Sequence, residues 1–136
     1  MGGALQPGGI LRTCSHPNLL PLHGYCLDVK GLCLVYPIAA GGNLEARLVR
    51  TADGLKQLSM LGCTDPPPLP WQSRCRILCE SLRALTHLHG LNPQVLHRDV
   101  KPSNILLDGD GRALLADIGM AKEASASQLT HVSTRN

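Results

Sequence analysis

The chain has 136 residues, of which 43% are hydrophobic and 17% charged; this suits one modest domain or a piece of a larger one and excludes a mainly disordered tail. Phe is absent and Phe, Trp and Tyr together make 2%, so a core must be built on Leu, Val, Ile and Ala. Thirteen Lys plus Arg against ten Asp plus Glu give +3, with no run longer than a pair, which does not point to nucleic acid.

Residues 1–15 carry Gly2, Gly3, Gly8, Gly9 and Pro7, a composition that resists helix and predicts a flexible N-terminal segment. Apolar runs over 22–27 and 32–36, with a turn over 28–31, predict a β-hairpin ended by Pro37. The small residues Ala39, Ala40, Gly41 and Gly42 lead into a helix capped by Asn43 and running to about 50. Residues 51–70, with Pro66, Pro67, Pro68 and Pro70, predict a loop. A long helix is expected from 71 to about 89, with Cys75, Leu78, Cys79, Leu82, Leu85 and Leu88 as the stripe facing the core. Gly90 and Asn92-Pro93 stop it. A polar loop over 97–104, a strand over 105–107, a turn over 108–111 and a strand near 113–116 follow. Residues 117–136 are rich in Ser and Thr and lack periodicity.

Six cysteines, Cys14, Cys26, Cys33, Cys63, Cys75 and Cys79, are too scattered for paired zinc-ribbon spacing. The first residues lack a cationic start followed by an apolar run, so free thiols in a reducing cytosol are expected. Gln6 stands where a myristoylation signal needs Ser or Thr, and no apolar run approaches the ~20 residues that span a bilayer. Cys75 and Cys79 read as buried core thiols rather than metal ligands, Asp108 and Asp110 as a hairpin turn rather than a calcium loop, and His87 and His89 as structural or exposed.

One segment carries chemistry. His97-Arg98-Asp99-Val100-Lys101-Pro102-Ser103-Asn104 is followed, after the expected hairpin, by Asp117-Ile118-Gly119. Phosphoryl transfer from ATP needs a carboxylate beside the nucleophile, a cation on the moving phosphate and oxygen ligands for magnesium. Asp99, Lys101, Asn104 and Asp117 supply that set, and a tight hairpin would return Asp117 close to Asn104.

These residues resemble the catalytic loop H-R-D-x-K-x-x-N and the D-F-G turn of eukaryotic protein kinases, with Lys101-Pro102 similar to the serine/threonine branch. The resemblance covers about 16–136. His16-Pro17-Asn18, Gly24-Tyr25-Cys26, Leu34-Val35-Tyr36, Gly42-Asn43-Leu44 and Pro70-Trp71 look like the interleukin-1-receptor-associated (Pelle-like) kinases and plant receptor-like kinases. It implies an α+β, partial protein-kinase-like fold: the end of the small lobe, a hinge at about 37–42, a catalytic loop at 97–104 and an activation segment at 117–136.

Carried over, Asp99 would orient the substrate hydroxyl and accept its proton, Lys101 would neutralise the transferring phosphate, and Asn104 and Asp117 would hold Mg2+. His97 would pack behind the Asp117 turn. Tyr36 would be the gatekeeper behind the adenine of ATP, Pro37 and Ala39 would present hinge backbone groups, and Leu106 would form the floor. Arg98 would pair with a phosphate at Ser125, Ser127, Thr130, Ser133 or Thr134. Implied partners are a protein substrate, signalling adaptors or receptor complexes and a full-length parent kinase, in the cytoplasm, without nucleic acid or membrane insertion.

Departures bear on activity. Ile118 replaces the Phe of D-F-G. The family's glycine-rich lid and strand lysine lie before His16, where this chain has no room for either, and Gln6-Pro7-Gly8 stands where the lysine's partner Glu is expected. The chain alone is therefore expected to be a poor enzyme. The rival reading is a truncated, non-catalytic binding or decoy protein; a small-molecule kinase is a weaker match because it lacks the Arg98 and Lys101 combination. Taken singly, Asp99 reads as a capping residue, Tyr36 as an ordinary strand aromatic and the terminal Ser/Thr cluster as a tail.

Overall fold

The computed structural model describes residues 14–29, 31–118 and 122–123. β1 (Gly24–Asp28) and β2 (Gly31–Val35) form an antiparallel two-stranded sheet in which Asp28 faces Gly31 at the turn and Gly24 faces Val35 at the open end. Gly31 takes φ +133°, a backbone region that side chains disfavour. The hairpin therefore forms where the apolar runs place it, with bounds shifted by one or two residues.

The chain then crosses to β3 (Gly42–Asn43), which pairs antiparallel with β5 (Ile105–Leu107), itself paired with β6 (Ala113–Leu115). Asn43 caps α1 (Leu44–Val49): its side chain accepts the Ala46 N–H at 2.8 Å, as its residue type foretells. Arg50 closes α1 in a left-handed conformation, φ 55°.

Residues 51–70 are not all loop. Thr51 accepts the Gly54 N–H at 3.1 Å and starts α2 (Ala52–Met60), whose Leu58 is buried. Asp53-Gly54 looks like turn chemistry in sequence, yet Gly54 is used for closeness: a Cβ there would lie 3.3 Å from the Ala46 Cα and Cβ. Helix-on-helix contact of α1 and α2 overrides its low propensity.

α3 (Trp71–His89) has the expected bounds and a different buried face. Ile77, Glu80, Ser81, Ala84 and Leu88 point inward, whereas Cys75 and Cys79 are exposed and Leu78 and Leu82 are 60% and 51% exposed. Leu85 packs at the margin of the core. The cysteines are therefore surface thiols. The cause lies in β6, whose Ala113 N–H donates to the buried Glu80 carboxylate at 2.7 Å. Ser81 meets its own need by donating to the Ile77 carbonyl at 2.8 Å. A buried backbone donor must find an acceptor, and that need outranks the apolar pattern.

The other edge of β6 is covered by residues 18–20. Leu115 donates to the Asn18 carbonyl and accepts from Leu20 N–H, while the Asn18 amide donates to the Ala113 carbonyl at 2.9 Å. Leu19, Ile77, Leu88, Leu107 and Leu115 form the centre of the core. Two short strands escape local patterning: β4 (Val95–Leu96) pairs antiparallel with β7 (Lys122–Glu123). Residues 108–112 close the β5–β6 turn, with Asp108 Oδ1 accepting the Asp110 and Arg112 N–H groups at 2.9 Å. That is a hairpin turn, as read.

The face of α3 is testable by substitution. Glu80→Ala strands the Ala113 N–H and is expected to cost about 1–3 kcal/mol, whereas Leu78→Gln changes stability by roughly 0.5 kcal/mol or less. Urea unfolding of both variants checks this; the reverse ranking would restore the Cys75–Leu88 stripe as the buried face.

Candidate functional site

The loop over 97–104 leaves β4 and ends in a 3-10 turn, Pro102–Asn104, that feeds β5. Pro102 suits the first position of that turn because its missing N–H is not needed there. The loop is gripped from within the fold. His97 is 1% exposed; its Nε2 contacts the Ala116 carbonyl at 2.9 Å and its Nδ1 accepts the Asp99 N–H at 3.3 Å. Those two contacts define the tautomer, with the proton on Nε2 donated to Ala116. Ala116 also donates its N–H to the Asn104 carbonyl at 2.8 Å. One peptide neighbourhood thus holds both ends of the loop and fixes where Asp117 emerges.

Within the loop, Asp99 Oδ2 accepts from Lys101 Nζ at 2.8 Å and from Asn104 Nδ2 at 2.9 Å. The same Asn104 nitrogen also donates to the Asp99 carbonyl at 2.9 Å. Asp99, Lys101 and Asn104 are therefore in direct contact. The Lys101 ammonium, bonded to it, holds the Asp99 carboxyl below its ordinary range against the opposing effect of desolvation, and the Asn104 hydrogen bond adds to the lowering. Conversely, Asp99 raises Lys101, helped by the charges of Asp117 and Glu45. Glu45, in the first turn of α1, escaped sequence reasoning because it lies far away along the chain.

Asp117 is exposed and takes φ 60°, as Arg98 takes φ 69°. Both are left-handed positions that cost free energy for residues other than glycine. Burial first, and then the Asp117 charge, raise the Tyr36 phenol above its ordinary value. Ile118 is buried in the core cluster, so its aliphatic side chain packs where the family has Phe.

The residues that the resemblance assigns to adenine do not all line one cavity. Ala39 is buried, Pro37 is half-buried, and Leu106 is half-buried between the inward-facing Ile105 and Leu107. A 330 Å³ apolar cavity lies against Pro37, Ile38 and Ala39 and is walled by Leu20 and Leu114. Tyr36 and Leu106 are not part of its lining. Arg98 is exposed. Thr130, Ser133 and Thr134, together with Ser125, Ser127 and Gly119, lie outside the described residues.

The donor set at the loop end suits a hard divalent cation. Asn104 spends its amide nitrogen on Asp99, which leaves Oδ1 out of those bonds, and the exposed Asp117 directly follows Ala116, whose N–H bonds the Asn104 carbonyl. Magnesium takes one or two such protein oxygens and fills its remaining positions with phosphate and water. Among the described residues there is no cluster of three or more His, Cys, Asp or Glu able to hold a metal.

With the fold and the loop described, comparison with known proteins supplies the family. The protein kinase domain family matches residues 5–136, and the chain belongs to that family, with a partial, α+β kinase-like fold. Its curated relatives are serine/threonine kinases. The probable serine/threonine-protein kinase PBL11 of Arabidopsis thaliana is 41% identical over 125 residues, which cover 92% of this chain and 29% of PBL11. Serine/threonine-protein kinase BIK1 of the same plant is 40% identical over 92% of this chain and 29% of its own length. An EPD1-interacting receptor-like cytoplasmic serine/threonine-protein kinase of Nicotiana benthamiana is 40% identical over 92% of this chain and 24% of its own. The chain spans less than a third of the length of these relatives.

Two titrations test the site's geometry. Asp99 has a folded value below its ordinary 3.8, so its contribution to stability is complete above that value and is lost as pH falls through the lowered one. Lys101→Met is expected to raise the Asp99 titration, followed by carboxyl NMR, and to lose less stability than wild type over that acid interval. In Asp117→Asn, the Tyr36 phenol should titrate lower, part of the way back to its ordinary value, by ultraviolet difference spectroscopy. An unchanged Tyr36 midpoint would separate Asp117 from the Tyr36 side of the site.

Proposed function

We propose that this chain is the middle part of a serine/threonine protein kinase domain that transfers the terminal phosphoryl group of Mg-ATP to a protein hydroxyl. The observation that carries the reading is the Asp99–Lys101–Asn104 contact, anchored through Ala116 next to Asp117. Asp99 is ionised at neutral pH and aligns the incoming hydroxyl, taking its proton late. Its low basicity suits a loose transition state in which positioning matters more than early proton removal. Lys101 carries its positive charge beside that carboxylate, where charge on the transferring group is met. Asn104 and Asp117 supply the oxygens that hold Mg2+, which, when bound, neutralises developing charge on the phosphates. Tyr36 stands behind the adenine, Pro37 and Ala39 offer backbone groups to it, and Leu106 lies beneath it.

Arg98 draws the segment after Asp117 into order when one of Thr130, Ser133 and Thr134 is phosphorylated, through charge-assisted hydrogen bonds. Partners are a protein substrate and receptor or adaptor complexes, in keeping with the relatives described as receptor-like cytoplasmic kinases. Among the described residues no helix is long and apolar enough to cross a membrane, and the setting proposed is cytoplasmic.

The test is phosphate transfer from labelled ATP to Ser/Thr peptides with Mg2+, alongside nucleotide-dependent thermal stabilisation. It is made with a kinase domain that carries these residues together with a glycine-rich lid and strand lysine, because the chain by itself is expected to be a poor enzyme. Transfer should fall by about 10²–10⁴-fold in Asp99→Asn, and Mg2+-dependent stabilisation should vanish in Asp117→Asn. Transfer that is indifferent to Asp99 would overturn the assignment. Absence of both transfer and nucleotide-dependent stabilisation, with retained binding to a kinase or adaptor, would favour the non-catalytic reading in which the fold serves as a binding or decoy surface.

A further inference from the structure

Four cysteines are exposed: Cys26, Cys33, Cys75 and Cys79. Cys75 and Cys79 stand one helical turn apart on α3, where Cβ atoms are about 5–6 Å apart, beyond the roughly 3.5–4.5 Å of a disulfide. Cys26 and Cys33 are different. They are direct partners in the β1–β2 register. Such partners share one face of the ladder with Cα atoms about 4.5–5.5 Å apart, inside the roughly 4.4–6.8 Å that a disulfide spans. The sheet that carries them has only those two strands among the described residues, and a two-stranded hairpin is marginal by itself. A covalent rung across it changes how often it opens.

We propose that Cys26 and Cys33 are a redox modification site, which a peroxide converts into a cross-strand disulfide. One thiolate attacks the peroxide, forming an S–O bond as the O–O bond breaks and leaving a sulfenic acid with release of water or alcohol. The second thiol attacks that sulfur, forming the S–S bond and expelling water. Two electrons pass from the sulfurs to the peroxide, and a dithiol reductant reverses the change. The bridge closes over residues 26–33 and holds the hairpin in register directly before Tyr36, with Leu34 and Val35 between.

The full chain is treated with hydrogen peroxide, alkylated with N-ethylmaleimide and cut with trypsin. Lys30 lies between the two cysteines, so peptides 13–30 and 31–47 stay joined only through sulfur and separate on reduction. The joined pair is expected at oxidant levels where Cys75 and Cys79 are oxidised without bridging each other. It should disappear in Cys26→Ser and in Cys33→Ser and persist in Cys14→Ser, which removes the other thiol of 13–30. Amide exchange over 24–35 should slow by about tenfold or more on oxidation of the wild type, a readout independent of how the variants fold. The proposal fails if Cys75 and Cys79 oxidise while 13–30 and 31–47 stay separate, if the joined pair survives Cys26→Ser, or if it occurs only in a disulfide-linked dimer.

Discussion

Both peptide groups flanking Ala116 are spent on the loop that carries the polar side chains. Its N–H donates to the Asn104 carbonyl and its carbonyl receives the buried His97 Nε2–H. Each bond is worth about 1 kcal/mol net, but losing one partner in a buried place costs about 1–3 kcal/mol. The pair therefore acts as a clasp that shuts in one arrangement. Because His97 Nδ1 accepts the Asp99 N–H, the clasp also sets the backbone from which the Asp99 carboxylate reaches Lys101 and Asn104. Charge chemistry at the surface is thus positioned by an imidazole buried in the interior.

The clasp in turn depends on where β6 is held. β6 is hydrogen-bonded to β5 on one edge and to residues 18–20 on the other, and its first residue, Ala113, is served by two side chains: Glu80 takes its N–H and Asn18 reaches its carbonyl. A buried carboxylate is a costly acceptor. Arg76, one turn earlier on α3, brings its Nε to 3.9 Å of the other Glu80 oxygen; at that length it offers charge rather than a hydrogen bond. α3 and the segment around Asn18 thereby fix the strand that leads to Ala116 and Asp117. Next to that junction, the His16 ring, whose Nδ1 accepts the Asn18 N–H, stacks on His87 with centroids 5.1 Å apart. Burial first, then His87 and Arg83, hold His16 below its ordinary value, so the neutral ring is the one that suits this packing.

What the sequence discloses is what depends on neighbours in sequence. Asn43 as a cap, the bounds of α3, the Asp108 turn and the loop over 97–104 all rest on contacts within a few residues. Those features were legible. The buried face of α3 was not, because Glu80 and Ser81 look like surface residues until the distant Ala113 needs an acceptor. α2 was hidden by the prolines of 66–70, which make the whole of 51–70 read as loop, whereas Thr51 caps the helix and Gly54 lets it contact Ala46. Strands β3, β4 and β7 are two residues long, too short for any periodic signal, and exist through pairing alone. At the site, the side chains could be named from the motif. The Ala116 clasp could not, because its chemistry is all backbone, and Glu45 was missed because helix α1 brings it near Lys101 only in three dimensions.

The connector before α1 shows how packing dictates composition beside a functional surface. Gly41 donates to the Leu107 carbonyl at 2.9 Å and lies so close to β5 that a Cβ there would stand 2.7 Å from the Asp108 carbonyl oxygen and 2.8 Å from the Leu107 Cβ. Gly42 combines φ +72° with direct opposition to the Leu58 side chain of α2. Neither position can take a side chain without displacing backbone or core. Their smallness sets β3 against β5 so that Asn43 lies opposite Leu106, while Ile105 and Leu107 on the same strand point into the core. The glycines thus bring the connector from Pro37 and Ala39 directly onto β5, through close backbone approach rather than any side-chain chemistry of their own.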